Sequence, residues 1–460
     1  MNKKRTYGSV DVEKIDPLSI VQMLMTIGCI VAVDVAKTKF VAALANAAGE
    51  VLRILRFEHP RQTLAFLRIV EALQANKLAP RVVMEPTGTY GDALRYQCNV
   101  RGARVEMMSP KHTHDIAEVL DGVPSMHDPK AAVALAKLAV MRPGRAWEPD
   151  TEEKREVRAL LDRRWPMSKT HELYHGHLEA MLARHWPELG SLLNIREQRS
   201  WMTLLQRYPG PHLVAASSNE AAETLRKASR GRLAKECVAA VVDSARTTLG
   251  MPMMKGEETR LRFVVEQIAR ETQGIEALDA EIKERVDKDE MMSRLAVVVG
   301  SACAASILSH VGSPLAFETA SALEKATGLN LKVKSSGEQQ GNVHITKRGP
   351  AQVRQLLYLA VLRLVQSDPI VAAWYRARTS YTPKSKQKAL VAVMRKLVRA
   401  LWHVARGATF DASKLFDVRR LKVTPTSETA ADAAPATTDS APASTLPKQR
   451  KQGGASQPHA

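Results

Sequence analysis

Cysteine is scarce and scattered: the 460 residues hold four, Cys29, Cys98, Cys237 and Cys303. No two are close enough to form a paired metal-ligand motif, and the chain is too long and too poor in cysteine for a disulfide scaffold. Buried thiols in a reducing cytoplasm are expected. Aromatic residues make up 5%, which argues against a single-strand binder built on rows of stacked bases. Long apolar runs are also missing. The stretch Ile20 to Val33 is broken by Gln22, Thr26 and Gly28 and followed by Asp34 and Lys37. It is too short to span a bilayer and has no small-residue cleavage site, so neither export nor membrane anchoring is expected. No glycine-rich phosphate loop follows the strand around Asp34, which weakens a kinase or ATPase reading.

Acid is scarcest toward the C-terminus. Between Gln339 and Gly407 one acid, Asp368, faces thirteen Lys and Arg residues, within a chain of 67 Lys+Arg, 48 Asp+Glu and formal net charge +19. Solvated helix faces usually mix both signs, whereas a one-signed stretch suits a polyanion whose counterions are released on binding. Nucleic acid is therefore the expected partner. Lys347, Arg348, Arg354, Lys384, Lys386, Lys388, Arg395 and Lys396 are the candidate phosphate contacts. Phosphate binding alone does not separate RNA from DNA.

At this length, with 45% hydrophobic residues, two or three domains are expected. After an N-terminal extension (1–27), residues 28–148 alternate strand and helix. Ile30 to Ala36, Lys39 to Ala45 and Val51 to Phe57 read as a three-strand meander. A helix carrying Leu64, Leu67, Ile69, Val70 and Leu73, a strand at Arg81 to Glu85, a helix from about Tyr90 to Val100 and a strand at Arg104 to Met108 follow. This is the order of a ribonuclease-H-like domain, although periodicity leaves other mixed folds open. Residues 149–290 read as a helical connector. Long helices are expected over Glu152 to Arg184, ended by Trp186-Pro187, and over Glu258 to Val286, with a less regular helical stretch from Asn219 to Leu249. Such polar helices pack as antiparallel pairs or bridge domains. Residues 291–422 form a second globular region, and 423–460, rich in Ala, Thr, Ser, Pro and Gln, are expected to be disordered.

Two kinds of chemistry stand out. Asp34 ends the valine-rich run Val31-Ala32-Val33, where an ionised side chain is costly unless paired or metal-bound, and Glu85 ends Val82-Val83-Met84. In a ribonuclease-H-like sheet these strand ends are neighbours. Two acids side by side repel, and Mg²⁺ is the simplest remedy. Asp128 opens the next helix in His127-Asp128-Pro129-Lys130, where it fits an N-cap or a third metal ligand. Further on, Ser335 and Ser336 precede Gly337 in a polar, basic loop where a nucleophile could meet a phosphate, or which is simply one more turn.

In this order these pieces resemble the DEDD-type transposases of insertion sequences, the family of bridge-RNA-guided recombinases. The carriers are Val33-Asp34-Val35-Ala36-Lys37, Val83-Met84-Glu85-Pro86-Thr87-Gly88-Thr89-Tyr90, Ser109-Pro110-Lys111, His127-Asp128-Pro129-Lys130-Ala131-Ala132, Arg184-His185-Trp186-Pro187-Glu188, Gly328-Leu329-Asn330-Leu331, Ser335-Ser336-Gly337 and Thr346-Lys347-Arg348-Gly349-Pro350. The resemblance implies an α/β plus α architecture: a ribonuclease-H/RuvC-like N-terminal domain, a long helical connector and a mainly helical C-terminal transposase domain. It implies Mg²⁺ on Asp34, Glu85 and Asp128, and a serine nucleophile at Ser336 with Ser335 as the fallback. Relatives carry a fourth acid one turn after the third, and here that place is Ala131; Asp121 is the first substitute and Asp115 the second, unless three acids suffice or this copy is impaired. It further implies a homo-oligomer in the bacterial cytoplasm, associated with the nucleoid. Such an assembly would act on element ends and target DNA and be guided by an element-encoded noncoding RNA. The rivals are a Mg²⁺-dependent structure-specific nuclease and a decayed transposase that only binds nucleic acid.

Overall fold

Valine-rich strands organise the first of two units in the computed structural model, Met1–Glu152, and helices build the second, Glu153–Ala460. The structure describes residues 7–86, 88–123, 127–196, 198–332, 343–380 and 386–421, apart from the side chains of Ala117, Asp121 and Arg420. The tail expected to be disordered, 423–460, lies outside the described residues.

In the first unit the order is β1 (Val10–Asp11), α1 (Pro17–Leu24), β2 (Ile30–Asp34), β3 (Lys39–Ala45), β4 (Val51–Glu58), α2 (Thr63–Ala75), β5 (Arg81–Met84), α3 (Asp92–Val100), β6 (Arg104–Met107), α4 (Pro110–Asp121), α5 (Asp128–Met141) and β7 (Arg145–Ala146). The meander is present, and the strands join one mixed sheet in the order β1-β4-β3-β2-β5-β6-β7. β2 runs antiparallel to β3 and parallel to β5. Alternation along each strand sends side chains to opposite faces. Val31, Val33, Phe40, Leu44, Val82 and Met84 pack with α1, α2 and α3, while Ile30, Ala32, Val41, Ala43 and Val83 pack beneath Ala132, Leu135, Ala136 and Ala139 of α5. The alanines of α5 let its backbone approach the sheet closely. The apolar run from Ile20 to Val33 divides between α1, a turn and β2. Helix α4, which the sequence pattern did not reveal, carries a polar sequence with Pro110 at its first position.

The second unit begins with two long helices and five short ones between them: α6 (Glu152–His185), α7 (Leu189–Leu192), α8 (Ser200–Arg207), α9 (Pro211–Ala216), α10 (Ser218–Ala228), α11 (Lys235–Thr247) and α12 (Lys255–Asp287). The stretch 219–249 is thus mostly two helices, broken around Gly231, whose φ is +72°. The expected antiparallel pairing of the long helices is present: Arg164 binds Asp279 at 2.5 and 2.9 Å, and His171 Nε2 lies 3.1 Å from Thr272 Oγ1. Partner numbers fall along one helix as they rise along the other. The short helices close over the far end of the pair, burying Trp186, Trp201, Leu205 and Val241 against Leu261 and Val265.

The rest of the unit comprises α13 (Glu290–Val299), α14 (Ser301–His310), α15 (Ala320–Ala326), the two-strand ladder β8 (Leu331–Lys332) and β9 (His344–Ile345), α16 (Ala351–Ser367), α17 (Pro369–Thr379) and α18 (Lys386–Ala405). Leu295, Ile307, Leu357, Val361, Val393 and Leu397 share its core. Among the described residues no single helix is long and apolar enough to cross a membrane. The apolar pair α16 and α17 bends by 100° at Asp368, whose carboxylate caps α17 by accepting from the amides of Ile370 and Val371.

The base of the β8–β9 ladder is held by close backbone approach. A Cβ on Gly349 would lie 2.5 Å from the Ala326 carbonyl oxygen and 2.7 Å from the Thr327 carbonyl carbon. Gly349→Ala is therefore expected to lower the stability of the intact chain by about 2 kcal/mol, since the obstruction is backbone rather than a yielding side chain. Gly256→Ala, in open space on α12, should be neutral or slightly stabilising. Denaturant midpoints of the two variants check this; equal midpoints would contradict the crowding argument.

Candidate active site

Parallel pairing places the first two acids together. Val33 is registered with Met84, so the next residue on each strand, Asp34 and Glu85, reaches the same end of the sheet at the same level. Alternation puts Asp34 on the face of Ile30 and Ala32, and Glu85 on that of Val83, the face covered by α5. Helix α5 starts with Asp128 at this end. The N-cap, however, is His127, whose Nδ1 accepts from the Lys130 amide at 3.3 Å. Asp128 is the first helical residue, which leaves its exposed carboxylate uncommitted to capping.

Asp34 senses the charge of both other acids. Burial, then the negative charges of Asp128 and Glu85, push Asp34 up to about 6, against a weaker opposing hydrogen bond from the Val35 backbone. Burial also raises Glu85, opposed by a hydrogen bond from the Thr113 hydroxyl. Thr113 is a fully buried residue of α4. It is a site component that sequence reasoning missed, because it is a polar residue of a predominantly polar helix. Arg95, also buried, donates to the carbonyl oxygens of Glu85 at 3.4 Å and Gly88 at 3.5 Å and pairs with Asp92, which braces the chain leaving β5.

Contrast with Glu106 sharpens the point. That carboxylate is fully buried in β6, yet Arg81 binds it through two nitrogens at 2.9 and 2.8 Å, Arg104 lies at 2.9 Å and the Gly144 amide at 3.1 Å. The Arg81 hydrogen bonds and charge outweigh burial and hold it below the usual carboxylate range. It is a structural ion pair. Asp34 has carboxylates for neighbours instead, an arrangement that suits a hard dication with oxygen ligands.

The fourth position is empty of oxygen: Ala131 is a buried methyl on α5. Asp115 is occupied elsewhere, its carboxylate 2.7 Å from Lys111 Nζ and lowered by that hydrogen bond. Asp121 ends α4 just before Gly122, which has φ +69°, and its side chain lies outside the described residues. Lys130, beside Ala131, is almost fully buried, and its ammonium donates 2.6 Å to the Val123 carbonyl oxygen, tying α5 to the end of α4. Among the described residues no three His, Cys, Asp or Glu side chains stand in a ready-made metal-binding group.

Ser335 and Ser336 lie outside the described residues, as does Lys384. The segments flanking the serines are joined: the Thr346 amide donates to the Asn330 carbonyl oxygen at 2.9 Å, its hydroxyl lies 2.5 Å from Asn330 Oδ1, and the Lys347 amide donates to Gly328 at 2.9 Å. Of the remaining basic candidates, Arg354 donates to the carbonyl oxygens of Gly349 at 2.6 Å and Thr327 at 3.3 Å, Arg395 pairs with Glu324 at 2.7 Å, and Lys396 donates to Leu415 at 2.6 Å. Lys347, Arg348, Lys386 and Lys388 are exposed.

Two family models match separate stretches of the chain. A family model described as a transposase, of the DEDD type named for IS110, matches residues 31–187. A second, described as a transposase of the IS116/IS110/IS902 family, matches residues 297–376. Asp34, Glu85 and Asp128 fall inside the first match and both serines inside the second. A protein of Streptomyces coelicolor described as an insertion element IS110 uncharacterized 43.6 kDa protein is 23% identical over 399 residues, spanning 85% of this chain and 96% of the relative.

The raised Asp34 gives a pH dependence whose sign follows from linkage. Its ordinary value is 3.8 and its folded value about 6, so the folded state binds the proton more tightly. Stability is then greatest below pH 4 and falls as pH rises to 6. Without divalent ions, Asp34→Asn is expected to remove this slope and to raise stability at pH 7 by on the order of 1 kcal/mol, after discounting for partial exposure. Melting curves in EDTA across this range are the check; an unchanged slope in the variant would overturn the assignment of the slope to Asp34.

Proposed function

We propose a covalent strand-exchange chemistry from the premise that this chain carries IS110-family transposase domains in both its parts and is a transposase that acts on DNA. The reading is that DNA strands are cut and rejoined through a serine nucleophile, Ser336 or failing it Ser335, aided by a Mg²⁺-binding carboxylate site. A noncoding RNA encoded by the element guides the choice of site, and the working form is a homo-oligomer. The mixed sheet of the first unit is read as ribonuclease-H/RuvC-like.

The observation that supports the proposal is the shared strand end of Asp34 and Glu85, where Asp34 is raised by burial and by the charges of Asp128 and Glu85. Like-charged carboxylates are costly to hold near one another, and an acid raised by two such neighbours is suited to a cation. Asp34 and Glu85 would hold it from the sheet and Asp128 from α5, while Ala131 offers no oxygen. When bound, Mg²⁺ supplies Lewis-acid stabilisation of phosphoryl oxygens. The serine hydroxyl attacks phosphorus, the Oγ–P bond forms as the bond to the 3′ oxygen breaks, and the serine proton is released while the departing oxygen takes one up. The phosphoserine diester retains the bond energy, so rejoining uses the reverse step and no ATP. Exposed Lys347, Arg348, Lys386 and Lys388 neutralise backbone phosphates.

Ala131 favours one second reading, a copy that binds nucleic acid but no longer cuts it. The deciding experiment mixes the protein with Mg²⁺, RNA transcribed from the flanking DNA and a labelled element junction, then denatures it. A protein–DNA adduct is expected, lost in Ser336→Ala. Cleavage without an adduct would replace the proposal with a metal-dependent nuclease. Binding without cleavage would make this a decayed copy.

A further inference from the structure

Lys396, Arg399, Ala400, His403 and Val404 recur on α18 at helical spacing and share one face. Residues 408–415 return across that face and enclose a cavity of about 420 Å³, within the range that holds a small organic ligand. Its wall has two chemistries. Ala400, Val404 and Phe410 supply an apolar side, whereas Lys396, Arg399 and Lys414 supply fixed positive charge against one carboxylate, Asp411.

That carboxylate is already engaged in its own turn. One oxygen of Asp411 accepts from the Ser413 amide at 2.9 Å and from its hydroxyl at 2.6 Å. The cations are partly engaged: the charge of Lys414 acts on Asp411, and Lys396 Nζ donates to the Leu415 carbonyl oxygen at 2.6 Å while lying 5.4 Å from the Phe416 ring centroid. Arg399 donates to Ser321 Oγ at 3.2 Å and lies 3.9 Å from the Glu324 carboxylate, with its side chain 53% exposed. Glu324 itself is engaged more closely by Arg395, at 2.7 Å. An anion-binding rim beside an apolar wall, in a cavity of this size, is complementary to a phosphate joined to a flat, weakly polar ring.

We propose that this cavity binds one unpaired nucleotide, its phosphate on Arg399, Lys414 and Lys396 and its base against Ala400, Val404 and Phe410. Charge-assisted contacts hold the phosphate, and packing on the base's face is tolerant of sequence. A single pocket of this kind needs no row of aromatic residues. The inference rests on the transposase reading for one point, that the nucleotide belongs to a strand opened during recombination; a free nucleotide has the same chemistry.

The test uses the full-length protein and fluorescence anisotropy with a short labelled single-stranded oligonucleotide, a blunt duplex of equal length, and adenosine 5′-monophosphate as competitor. Ala408→Trp fills the cavity without changing charge, Lys414→Ala removes one rim cation, and Lys227→Ala, on a distant helix, controls for net charge. The expected result is roughly tenfold weaker single-strand binding in Ala408→Trp and Lys414→Ala, with Lys227→Ala unchanged and duplex binding altered less than twofold. Competition by the mononucleotide would assign the pocket to free nucleotides as well; single-strand binding without competition would assign it to a strand. Unaltered single-strand binding in both pocket variants, or equal losses on duplex and in the Lys227 control, would overturn the proposal. Neither readout involves cleavage, so failure of the pocket leaves the serine chemistry standing, and absence of an adduct leaves the pocket standing.

Discussion

Asp34 and Glu85 are brought to one end of the sheet by a register that the core cannot change. Sliding β2 by one residue against β5 would send Ile30 and Ala32 to the face now filled by Val31 and Val33, exchanging the surface beneath α5 for the one beneath α2 and α3. Hydrophobic packing on both faces therefore fixes the level of Asp34 and Glu85, and α5, docked by its alanines, brings Asp128 to the same place. Each buried Val, Leu or Ile contributes about 1.5–3 kcal/mol. A few such side chains outweigh the repulsion among the acids. The fold holds a locally unfavourable charge arrangement because the residues that enforce it are elsewhere.

The same economy of backbone contact appears in the second unit. Gly328, at φ +75°, and Gly349 meet back to back, and the Thr346–Asn330 bonds close the base of the β8–β9 ladder. Arg354, set among the carbonyl oxygens of Thr327 and Gly349 and lowered by burial, reinforces that base.

Much of the site was legible because its residues break local rules. An acid after Val31-Ala32-Val33 contradicts its surroundings, as does one after Val82-Val83-Met84, and both exceptions stand where the structure places the coupled group. The meander and the two long helices were legible from alternation and from sustained helical spacing. What stayed hidden depends on partners distant in sequence. Thr113 contacts Glu85 across 28 positions, and nothing local in Pro110–Asp121 announces it. The N-cap moved from Asp128 to His127 because Pro129 is accommodated at the second helical position as well as at the first. Glu106 looks unremarkable in Arg104–Met107, yet it is fully buried, because its neutralising Arg81 arrives from the adjacent strand.

Net charge is likewise a poor guide to which cations reach a ligand. The one-signed stretch before Gly407 predicts a polyanion, but Arg395 is committed to Glu324, Arg354 to carbonyl oxygens of the ladder base, and Arg406 to those of Pro314, Leu315 and Phe317 while lying over the Trp402 ring. Arg354 and Arg406 thus satisfy backbone acceptors that a neutral side chain would leave bare, and Arg395 balances a buried carboxylate. Their charge still adds to the long-range field that draws nucleic acid in. Exposed heads remain on Lys347, Arg348, Lys386 and Lys388, so exposure rather than net charge separates the cations available to a polyanion from those spent inside the fold.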